Sequence, residues 1–86
     1  MKHTRFTLEN SDRQRFSCVL NKAADYTAQW EQVFAIEKGY GFSVRDHGES
    51  LDIYDYFAGE TRATFRILST EETDAPCSLC LQKLDK

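Results

Sequence analysis

Thiols, imidazoles, carboxylates and a tyrosine–arginine group are the side chains of this sequence that could do chemistry. Cys77-Ser78-Leu79-Cys80 is the one string with motif-like spacing. Two thiolates three residues apart can ligate zinc, but a closed tetrahedral site needs four donors, usually from two such pairs. The remaining donors are Cys18, His3 and His47, all distant in sequence, and Leu81 stands where a zinc knuckle wants a small, turn-permitting residue. The expectation is therefore two structural thiols, with no metal and no cofactor. A zinc-binding or thiol protein working through Cys77 and Cys80 is an alternative, with a lowered thiol pKa at a helix N-terminus as its redox form. In a strand, a spacing of three puts the two thiols on opposite faces and weakens both site readings.

The other reactive groups fail to converge. His47 is explained by a turn and His3 by an exposed strand end. The glycines at 39, 41, 48 and 59 each have a turn or cap to explain them, so no phosphate-binding loop is present. Acids are plentiful, but nothing selects one carboxylate pair for acid–base work. Without a constellation of nucleophile, base and orienting group, the expectation is a protein that is not an enzyme.

Charge placement is more telling. Net charge is −3, yet residues 1–22 set Lys2, Arg5, Arg13, Arg15 and Lys22 against Glu9 and Asp12, a balance of +3, and the remainder carries −6. From Asp46 to Glu60 the acids are Asp46, Glu49, Asp52, Asp55 and Glu60, with no Lys or Arg among them. Such asymmetry bears on partners and not on fold.

The 86 residues allow one domain, 1–86, and no second core. An apolar content of 41% is ordinary for a globular chain, and no apolar run approaches the roughly 20 residues of a membrane span. Three cysteines form a poor disulfide framework, and a reduced cytoplasmic setting is expected.

Period-two alternation predicts strands. Thr4, Phe6 and Leu8 share one side, Phe16, Cys18 and Leu20 another, and a turn at Asn10-Ser11-Asp12-Arg13 makes them a hairpin that pairs Leu8 with Phe16 and Phe6 with Cys18. From Lys22 to Lys38 the period becomes helical, with Ala23, Tyr26 or Thr27, Trp30, Val33 and Phe34 on the apolar face. Asn21 is the expected N-cap and Gly39 the left-handed stop, with Lys38 at the negative end. Trp30 belongs to the core on this reading.

Three short strands follow. A two-residue turn at His47-Gly48 sets Asp46 opposite Glu49, Val44 opposite Leu51 and Phe42 opposite Ile53. Parity between Ile53 and the row Ala63, Phe65, Ile67 then demands an odd loop near Ala58-Gly59-Glu60. Ser69 to Asp74 reads as a mobile loop. Pro76 to Leu84 fits either a strand or a helix, with the strand favoured. The expected fold is α+β: a single small antiparallel sheet in the order β-β-α-β-β-β, its last element undecided, with one helix packed on one face.

On that fold the strand Ser50 to Phe57 turns Leu51, Ile53 and Phe57 inward and Asp52, Tyr54 and Tyr56 outward, beside Ser43, Arg45, Arg62 and Arg66. Tyrosine and arginine are enriched at protein interfaces, because each couples large contact area to a polar tip. The plain alternative is a solvated sheet face with cross-strand pairs such as Asp52–Arg66 and Tyr54–Arg62.

In length, acidity and a lone α+β domain, the chain resembles the small inhibitors that phages and plasmids encode against host defence systems, anti-CRISPR proteins among them. That likeness implies a protein-binding module that occupies a partner with a basic surface, such as a nucleic-acid-binding complex. Asp46, Glu49, Asp52, Tyr54, Asp55 and Tyr56 are the expected partner-binding residues. The competing class is a nucleic-acid binder working through Lys2, Arg5, Arg13, Arg15 and Arg66, disfavoured by the negative total charge and the lack of interleaved stacking aromatics.

Overall fold

The computed structural model describes residues 2–36 and 41–84. In chain order the elements are β1 (His3–Glu9), β2 (Arg15–Leu20), α1 (Tyr26–Val33), β3 (Phe42–Asp46), β4 (Ser50–Asp55), β5 (Glu60–Thr73) and β6 (Ser78–Lys83). The strands form one antiparallel sheet in the order β3-β4-β5-β1-β2-β6. The helix packs against β3 and β6, which lie at opposite edges, and against β2, so the sheet curls around it. The α+β class stands, with one helix among the described residues and more strand than expected.

The first hairpin has the expected register, Leu8 opposite Phe16 and Phe6 opposite Cys18. Its turn is held by the Asn10 side chain, whose Oδ1 accepts from the backbone N–H of Asp12 and Gln14. Leu8, Cys18 and Leu20 are fully buried on the concave side with Trp30 and Leu51. Trp30 stands edge-on to Phe6 with centroids 4.9 Å apart and stacks with Phe34 at 6.0 Å. Its buried indole N–H meets no hydrogen-bond partner, so Trp30 contributes by packing.

The helix is shorter than the apolar period implied. Asn21 does not cap it. Its Oδ1 accepts from Ala23 N–H in a separate turn, and Asp25, four residues later, caps the helix by accepting from Thr27 N–H at 2.9 Å. Gln29, buried between the two turns, ties them together: its Oε1 accepts from Asn21 N–H at 2.6 Å and its Nε2 donates to Asn21 O at 3.0 Å. At the other end Ala35 takes φ 55, with Ile36 N–H donating to Glu31 O and Ala35 N–H to Gln32 O. That pair of bonds is a Schellman stop, built on alanine where glycine is usual. The expected stop at Lys38-Gly39 lies outside the described residues.

In the meander, face parity holds but register moves. Val44 pairs with Ile53 and Phe42 with Asp55, two residues from expectation, because the turn tip is Gly48-Glu49. Gly48 alone takes positive φ there, at 85°, which spares His47 the left-handed region. Between β4 and β5, Leu51 does face Phe65 and Ile53 does face Ala63. The odd residue needed for parity is supplied inside the ladder, since Tyr54 pairs with Thr61 and Arg62 bulges out.

The expected mobile loop at Ser69 to Asp74 is overturned, because residues 69–73 extend β5 along β1, Thr7 opposite Ser69 and His3 opposite Thr73. Leu68 has no partner at the register shift, a second bulge within a 14-residue strand. Polar side chains on this stretch find charge partners across the ladder, such as Arg5 for Glu71 at 3.2 Å. Residues 78–83 form a strand beside β2, with Leu79 and Leu81 packed on the core. Among the described residues no helix is long and apolar enough to cross a membrane.

Candidate functional site

The convex face of β3 and β4 carries the group of side chains with the clearest capacity to recognise something. Alternation along β4 sends Leu51 and Ile53 to the core and leaves Asp52 and Tyr54 on the outer side. Opposite them on β3 are Arg45 and Ser43, respectively. The Arg45 guanidinium lies over the Tyr54 ring, 3.7 Å from its centroid, and 5.7 Å from that of Tyr56. The two tyrosines meet edge to face at 5.1 Å. A planar cation stacked on tyrosine faces is held by quadrupole attraction and loses less freedom on binding than an unsupported arginine. The Arg45 guanidinium and the Ser43 hydroxyl, which makes no hydrogen bond of standard geometry, lie beside the Tyr56 hydroxyl. Together they hold its pKa below the ordinary tyrosine value, with Ser43 the larger influence.

Beyond Asp55 the chain turns, and here the expectation for Phe57 is corrected. It is not inward but 82% exposed, with Tyr56 at 58%. The strand ends at Asp55 because that carboxylate is drawn into the loop, accepting from Phe57 N–H at 3.0 Å and Ala58 N–H at 3.1 Å. Arg62, freed by its bulge, reaches Asp55 at 2.9 Å and Glu60 at 2.9 Å. These contacts, the Ala58 N–H foremost, lower the Asp55 pKa. Phe57 lies on Gly41, where an added Cβ would come within 2.5 Å of the ring. The loop is thus stapled to the start of β3, with Tyr56 N–H donating to Gly41 O at 2.7 Å.

Of the residues expected to bind a partner, Tyr54 and Tyr56 come together beside Arg45. The carboxylates are dispersed and engaged. Asp46 accepts from Gly48 N–H, Asp52 from His47 Nε2 and the Thr64 hydroxyl, both at 2.9 Å, and Asp55 lies buried under its loop. Glu49 stands exposed at the turn. The basic residues of the competing class, Arg13 apart, are likewise met by acids: Lys2 by Asp74, Arg5 by Glu71, and Arg15 and Arg66 together by Glu9, with Lys22 held by Glu72. The cross-strand pairs Asp52–Arg66 and Tyr54–Arg62 do not form, since Arg66 turns to Glu9 and Arg62 to Asp55 and Glu60. Arg45 escaped notice as the centre of the group because its ring contact is diagonal across two strands, and Phe57 because a strand reading carries through Asp55.

The thiols lie apart from this face. Cys18 is buried in the core, and desolvation, with a smaller influence from Cys80, pushes its pKa up to about 12. Cys77 and Cys80 are exposed and free. Among the described residues no group of three or more His, Cys, Asp and Glu side chains is placed to hold a metal ion.

Comparison with known proteins finds no match to a family model, to a curated protein or to a solved structure.

Proposed function

We propose that this protein is a binding module that acts by occupying a surface of another protein, with the outer face of β3 and β4 as its contact. The exposure of Tyr56 beside an arginine already stacked on Tyr54, with Phe57 bare in the adjoining loop, carries this reading. Aromatic and arginine side chains gathered at one edge of a sheet have the composition of an interface hot spot. Water gains nothing from 82% of a phenylalanine, whereas a partner would bury it.

The competing class, nucleic-acid binding through the N-terminal hairpin, draws on Arg13 at the turn and on Arg15 and Lys83 around a depression that also contains Glu9 and Asp12. Immobilised protein exposed to lysate from its source, with bound material identified by mass spectrometry and nuclease treatment run in parallel, separates the two. Loss of the captured protein in Tyr56→Ala/Phe57→Ser, with retention in Arg5→Ser/Arg13→Ser/Arg15→Ser, supports the sheet face. Loss only in the arginine variant, or release by nuclease, rejects it.

A further inference from the structure

Among the described residues, Arg45 and Arg13 are the arginines without a carboxylate in reach. Every other arginine has one: Arg5 has Glu71, Arg15 and Arg66 share Glu9, and Arg62 spans Asp55 and Glu60. Arg13 stands at a solvated turn. Arg45, by contrast, is fixed against Tyr54 at 3.7 Å although Asp52 is its cross-strand neighbour. Asp52 is taken by His47 and Thr64 instead. Stacking uses the face of the guanidinium and leaves the donors on its edge available, which is the geometry that receives a carboxylate through two parallel hydrogen bonds.

We propose that Arg45 and the Tyr56 hydroxyl form a carboxylate-recognition site, and that the segment seated on this face is an acidic peptide stretch of a partner protein. The proposal rests on the binding-module reading and specifies the charge of its partner. Three observations support it. The cation is unpaired and preorganised by two rings, which cuts the ordering cost of binding. The Ser43 hydroxyl, buried and without a hydrogen bond of standard geometry, lies beside the Tyr56 hydroxyl and places a further polar group at the site. The carboxylates that suggested a basic partner, Glu49 apart, are held by Gly48 N–H, His47, Thr64 and Arg62, and among the described residues none of them pairs with Arg45.

The test uses the full chain in NMR titrations with three capped peptides, acetyl-Leu-Glu-Glu-Leu-amide and its Gln-Gln and Lys-Lys counterparts. The acidic peptide should shift the Arg45 Nε–H and the Tyr54 and Tyr56 ring signals saturably, and the Gln-Gln peptide should bind about tenfold more weakly. Arg45→Gln should lose that preference with unchanged melting, Arg45→Lys should keep part of it, and Arg13→Gln should leave it intact. Equal binding of the Glu and Gln peptides, indifference to Arg45→Gln, or no shift with any peptide would overturn the proposal. Preference for the Lys-Lys peptide on the same face would overturn it while leaving the binding-module reading standing, and loss of partner capture only in the hairpin-arginine variant would remove that reading itself.

Discussion

Two aromatic groups of nearly equal spacing sit on opposite sides of this sheet. On the concave side Phe6 and Trp30 lie 4.9 Å apart, closed over by the helix and joined by Phe34. On the convex side Tyr54 and Tyr56 lie 5.1 Å apart, with Arg45 as their cover and Phe57 exposed in the loop that follows. The first group excludes water because an element lies on each side of it. The second has one strand layer behind it and solvent in front, and its hydroxyls and cation make that exposure tolerable. Ring spacing therefore does not separate a core from an exposed surface. What separates them is whether the polar tips are turned to water.

The largest expected effect tests the concave side. Trp30→Ala should cost about 3–5 kcal/mol, because a large buried aromatic leaves a cavity that rigid strands cannot close. Against a total stability of roughly 5–15 kcal/mol, such a loss approaches unfolding in so small a domain. Phe57→Ala should stay within about 0.5 kcal/mol in the same denaturant melts, as an exposed ring is free of that cost. Similar losses for the two variants would erase the distinction between the groups.

Acid should separate the two regions within one molecule. Asp55 has a folded pKa below its ordinary value of 3.8, so its contribution is complete above that value and is lost as pH falls through the lower folded one. The Phe57 and Ala58 amides, which donate to Asp55, should therefore lose hydrogen-exchange protection below about pH 4 while the β1–β2 amides keep theirs. Asp55→Asn should remove that acid-dependent step. Protection that falls together in both regions would show the aromatic loop and the core to be one cooperative unit.

A smaller effect probes how the helix is closed over the core. Ala35 holds a left-handed conformation at φ 55, and Ala35→Gly should raise stability by about 1 kcal/mol by relieving its Cβ while the Schellman bonds persist. A measured loss would mean that the Ala35 methyl packs usefully and outweighs the backbone strain.

Alternation and turn chemistry alone carried much of this fold. Rows such as Phe6–Leu8 and Phe16–Cys18–Leu20 can share a face in only one parity, so the first hairpin follows from residue spacing. The same rule required an odd residue between β4 and β5, and Tyr54 and Tyr56 were marked as outward by it. Tertiary structure decided what parity cannot. It set where the odd residue lies, in a bulge at Arg62, because loop and bulge satisfy the count equally. It made residues 69–73 a strand, because a polar stretch without a buried face has no period to read and forms only against the edge of β1. Above all it decided which charges remain open. The +3 of the first 22 residues and the acids of the remainder look like opposed surfaces along the chain. Strand pairing sets Arg5 beside Glu71, 66 positions away, and the fold brings Lys22, just past β2, to Glu72, 50 positions away. A Coulomb interaction depends on separation in space, so the charge left unpaired is set by the sheet and not by the sequence order.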